Sequence, residues 1–168
     1  MRFQDMAKWL IAACVLLAGW FYHTWMHSLD AFYRQQIPYE VEVADLVYFD
    51  SGIRGSCGAA IFKLSPRSKE QLSRSGVRAL TGTIRGRVAE AGPGISEDWK
   101  ETPYIYHANE SPGESYWALT LSCTWLGEER WNTILGALGK PGSFFRRHKE
   151  GVILVIPSAD IVAYLFFD

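Results

Sequence analysis

The sequence predicts an α+β protein: an N-terminal transmembrane helix, then one domain built on an antiparallel or mixed sheet of about six strands. The expected order is ββα-ββα-ββ, with two helices packed on one face of the sheet. Three observations lead there. Trp9 to Met26 contains no Asp, Glu, Lys or Arg; Tyr39-Glu40-Val41-Glu42-Val43 alternates apolar and acidic residues; and Trp131, Ile134, Leu135 and Leu138 recur at helical spacing.

The charge-free run decides the compartment. At about 1.5 Å per residue it makes roughly 27 Å of helix, close to the thickness of a bilayer core. Its "IAAC", ending at Cys14, has the outline of a lipoprotein cleavage signal, but only Trp9 to Ala13 separate Lys8 from that cysteine. A secretory signal would place small residues after its apolar run. Here the run continues through Val15, Leu16, Leu17 and Ala18 and meets Gly19, Trp20, Phe21 and Tyr22. The expectation is an uncleaved signal anchor, with Trp9 at one interface and the aromatic group at the other. Arg2 and Lys8, offset by Asp5, give the head a positive bias, which favours a cytoplasmic N-terminus and a periplasmic domain at the inner membrane. The expected divisions are a head at 1–8, an anchor at 9–27, a stalk at 28–38 and a single exported domain at 39–168. His23 and His27 share a helix face, but without further ligands they read as half-polar rings at headgroup level.

Along the domain, the alternation from Tyr39 predicts a strand running to Phe49, and the glycine-rich "DSGIRGSCG" predicts a turn. "AAIFKL" (59–64) is a short apolar strand. Ser65 and Pro66 open a helix as N-cap and first residue, with Leu72, Val77 and Leu80 toward the core. Tyr104–Ala108 and Tyr116–Trp125 read as a hairpin across Pro112-Gly113. In that second strand Trp117, Leu119, Leu121, Cys123 and Trp125 share one face. Glu128 and Glu129 sit in the first turn of the next helix, where its dipole favours negative charge, and Gly139 and Pro141 stop it. "GVILVIPSADIVAYLFF" is a final hairpin turning at Pro157–Asp160. Segment 81–103 fits no element; so long a loop in a compact domain is uncommon, so the segment either hides a strand, with Thr83–Val88 as the candidate edge, or has a job.

Chemistry is sparse. Cys57 and Cys123 are the cysteines outside the span, and an exported domain would favour a disulfide between them, with two separate buried thiols as the alternative. Cys57 lacks the strand-to-helix setting of a nucleophile elbow, and His107 or His148 could act as its base only if the fold brought them close. Ser65 and Lys69 are four apart, which is not Ser-x-x-Lys. Cys57, His107, Cys123 and His148 contain no close-spaced pair of the kind zinc sites use. No cofactor or metal is expected, and an enzyme is not the expected reading.

A net charge of −1 gives no case for nucleic-acid binding. What remains is a membrane-anchored extracytoplasmic binding protein, in first place an immunity-type protein guarding a bacterium against an exported toxin. The alternatives are an accessory single-span subunit of a larger membrane complex and an enzyme with an unrecognised site. The expected partner is a protein, toxin or complex subunit; a small-molecule ligand is left unassigned. Binding surfaces concentrate their energy in aromatic and arginine anchors. Arg85, Arg87 and Trp99, in the unassigned 81–103 segment, are the expected partner-binding residues.

Overall fold

A computed structural model describes residues 3–51, 57–80, 98–105, 120, 123–148 and 151–167. The chain divides into two units, Met1–Arg34 and Gln35–Asp168.

The first unit is one helix, α1 (Phe3–Arg34). It is long and apolar enough to cross a membrane, and no residue of its most apolar stretch is buried. An uninterrupted helix satisfies its own backbone polar groups, the condition for entering hydrocarbon. Thr24 and Ser28 donate their hydroxyls to the carbonyls of Trp20 and Thr24, so these side chains are also satisfied within the helix. The expected stalk differs. The helix continues through Ser28 to Arg34, where Arg34 forks onto Asp30 with bonds of 3.0 and 2.8 Å. The compact unit then starts at Gln35, and Ile37, assigned to the stalk by sequence, is buried in it.

The second unit is built on a six-stranded, wholly antiparallel sheet of β1 (Val43–Ser51), β2 (Cys57–Leu64), β3 (Lys100–Glu101), β4 (Phe144–His148), β5 (Gly151–Ile156) and β6 (Ile161–Phe167). The spatial order is β1-β2-β6-β5-β4-β3. Its centre, β2-β6-β5, is a ladder of Ala59 beside Leu165 beside Val152, and of Ile61 beside Ala163 beside Leu154. The β5–β6 connection is a 3-10 turn, Pro157–Ala159, closed by Asp160 in the left-handed region at φ 57°.

Two helices accompany the sheet. In α2 (Pro66–Ser75) the Ser65 hydroxyl accepts from the Ser68 N–H at 3.1 Å, the expected cap. Ser68 Oγ accepts in turn from the Glu42 N–H at 2.9 Å, and Lys69 Nζ lies 2.6 Å from Asp160 Oδ1. These contacts join α2 to the approach to β1 and to the last turn. A 3-10 turn, Gly76–Leu80, follows α2 and buries Leu80. In α3 (Glu128–Leu138) Ile134 and Leu138 enter a cluster with Ala59, Ile61, Val152, Leu154, Ala163 and Leu165. Leu72, the buried leucine of α2, is not part of that cluster. Ala60, Phe62, Ile153, Val155, Val162 and Tyr164, on the opposite face, are buried as well. The central strands are therefore covered on both sides, which explains why they are continuously apolar instead of alternating.

The order of elements departs from the sequence reading. No hairpin forms from the described parts of 104–108 and 116–125: Tyr104 and Ile105 lie outside any strand, Thr120 is helical, and 123–127 is turn and loop. The places expected for that hairpin in the sheet are taken by β3 and β4. Arg146 and Arg147 disguise β4 in the sequence, yet Phe144, Phe145 and Arg146 are all buried in it.

Candidate functional site

The residues expected to act divide three ways. Arg85, Arg87 and His107 lie outside the described residues. Cys57 and Cys123 are joined by a disulfide with their Cα atoms 6.5 Å apart. Trp99 is only 6% exposed, and its indole N–H has no hydrogen-bond partner among the described residues. It packs inside the domain and is not a surface anchor as the structure stands. Ser65 and Lys69 are engaged as a helix cap and an ion pair. Among the described residues, no three His, Cys, Asp or Glu side chains gather as a metal site.

A different tryptophan stands out. Trp125 is 92% exposed, and it lies outside the strand in which alternation placed it. Its backbone is held firmly nonetheless. Two residues before it, Cys123 is tied by the disulfide to the first residue of β2. The Trp125 N–H donates to Asp50 Oδ2 at 2.7 Å. Leu126, the next residue, is 1% exposed and belongs to the core cluster. Gly127, at φ 74°, then turns the chain into α3, a conformation that costs an L-residue but not glycine. The result is an indole presented to solvent from a segment fixed on both sides.

The neighbouring residues reach this surface through an irregularity in β1. Leu46 pairs with Phe62 but Tyr48 pairs with Ile61, so β1 spends an extra residue against β2. Such a bulge re-aims the side chains that follow it. Tyr48 and Asp50 consequently share the sheet face of Ile61 and Ala59, beside α3. Close approach of the strands here depends on Gly58, where a Cβ would stand 2.6 Å from the Asp50 carbonyl oxygen. Asp50 Oδ2 also accepts from the Tyr48 hydroxyl at 3.3 Å, and the Arg130 guanidinium carbon lies 5.0 Å from the Tyr48 ring centre. Burial pushes the Tyr48 phenol up to about 12; the Asp50 charge and hydrogen bond act the same way, while Arg130 opposes them.

Trp125, Tyr48, Asp50 and Arg130 are linked through these contacts. The sequence held one usable signal for this group. In "TWLGEE" the glycine and paired glutamates mark a helix start at Gly127, so the expected strand should have stopped short of Trp125. Compared with known proteins, the chain matches no family model, and neither curated proteins nor solved structures give a significant match.

Proposed function

We propose that the chain is a membrane-anchored extracytoplasmic binding protein, of the immunity type that protects a bacterium from an exported toxin. The observation that carries the binding reading is Trp125, an exposed indole on a backbone pinned by Cys123, Asp50 and Leu126. Leaving so large an apolar surface in water forgoes the gain of burying roughly 150–250 Å². Pinning the segment beforehand lowers the entropy a partner would lose in ordering it. Trp, of which Trp125 is the exposed example, is also among the residue types that dominate binding energy at interfaces.

The placement rests on α1 and on the disulfide. A long apolar helix with Arg2 and Lys8 ahead of it supports an anchor whose N-terminus stays in the cytoplasm. A disulfide in the folded domain supports an oxidising compartment for that domain, the periplasm of a cell with an inner membrane. Arg85 and Arg87 remain part of the proposed partner surface, with Trp125 in the role first given to Trp99.

Protection against the toxin by Trp125→Ala, Arg85→Ala/Arg87→Ala and a soluble exported chain lacking residues 1–27 tests this reading. Each variant is expected to lose protection or partner capture while keeping its thermal melt. Full protection by the Trp125 variant, together with loss in a folded Cys57→Ala or His148→Ala variant, would point to an enzyme instead.

A further inference from the structure

We infer that the Trp125 surface takes a cationic segment of a protein partner, with a lysine or arginine side chain laid on the indole face inside an acidic rim. The inference deepens the binding reading above and rests on it.

The charges beside Trp125 favour a cation. Asp50 lies directly beneath the Trp125 backbone, and Glu128 and Glu129 follow at the start of α3, both exposed. Against these three carboxylates stands Arg130, which already lies on the Tyr48 ring. Among the described residues of this surface the carboxylates outnumber the cation, and a positive group approaching Trp125 meets them. Asp50 accepts two hydrogen bonds from inside the protein, but a carboxylate has about four acceptor positions, so it can take another donor.

The indole supplies the second half of the match. Trp is the strongest of the aromatic faces for a cation, and Trp125 has its side chain almost wholly open. Arg130 on Tyr48 shows the same contact made once already within the protein. The alternative occupant, a lipid surface, suits an interfacial Trp but not this rim, because anionic headgroups would be repelled by Asp50, Glu128 and Glu129.

The test uses the full chain in nonionic detergent micelles and follows the anisotropy of a fluorescent octapeptide of alternating Lys and Gly. An octapeptide of alternating Glu and Gly is the comparison arm. The lysine peptide is expected to bind and the glutamate peptide not to. Trp125→Ala is expected to weaken it about fivefold, the size of an exposed cation–π contact, with Trp125→Phe in between. The Glu128→Gln/Glu129→Gln double variant is expected to weaken binding and to flatten its salt dependence, and it decides the matter if Trp125→Ala does not fold. Equal binding of both peptides, no binding of the lysine peptide, or unchanged binding by these variants would overturn the inference. A chain that ignores the lysine peptide yet still loses toxin protection on Trp125→Ala would remain a binding protein, with a partner of other chemistry.

Discussion

Tyr48 and Glu40 show how single side chains register their surroundings. Tyr48 is held neutral beyond the usual phenol range, its pKa raised to about 12 from 10.0. A raised acid favours its protonated form in the fold, so its stabilisation is complete below about pH 10 and is lost as pH rises through about 12. The late-ionising part of the tyrosinate absorbance should therefore lose one phenol's share in Tyr48→Phe, and Asp50→Asn should bring that share earlier. Glu40 is pushed upward by burial, only partly offset by its own backbone hydrogen bond and the charge of Arg146, and its Oε2 has no partner among the described residues. Its protonated form is the one the fold prefers. Stability tied to Glu40 is present below the ordinary carboxylate range and is lost as pH rises through its raised value. Glu40→Gln is expected to raise the melting temperature at neutral pH, with the gain shrinking toward about pH 4. A variant less stable at neutral pH would show that the Arg146 attraction outweighs burial.

At the scale of elements, the parts with a strong local signature were legible. The Ser65–Pro66 start, the 128–138 helix with its Gly139 stop, and the 151–167 hairpin form where the pattern places them. What misled was alternation without context. Thr120 is helical and fully buried, with its hydroxyl donated to the Phe166 carbonyl at 3.3 Å, although the pattern set it on a polar strand face. The segment after it is shaped by contacts distant in sequence, Cys57 and Asp50, which no local window contains. The same reason hid the Trp125 surface: its neighbours converge from β1, from the loop before α3 and from α3 itself. Two variants weigh these elements. Ile134→Ala removes a core side chain from α3 and should cost about 2–5 kcal/mol in denaturant unfolding. Cys57→Ala/Cys123→Ala opens a 66-residue closure and should cost about 4 kcal/mol, matched by adding reductant to the wild-type chain.

For the molecule as a whole, the proposed function assigns location to α1 and recognition to the compact unit, the two units into which the chain divides. A topology reporter sets the first half: alkaline phosphatase fused after Asp168 is expected to be active, and a cytoplasm-dependent reporter at the same place silent. The proposed recognition is tested most directly in intact cells. A photoreactive phenylalanine analogue replaces Trp125 in the full chain, and, as a control on an exposed site elsewhere, Arg67. On illumination of intact cells, the position-125 chain is expected to cross-link to one protein through a lysine- or arginine-bearing segment, and the position-67 chain is not. Cross-links from position 125 to lipid alone, or the same products from both positions, would contradict an anchored protein that recognises its partner through this surface.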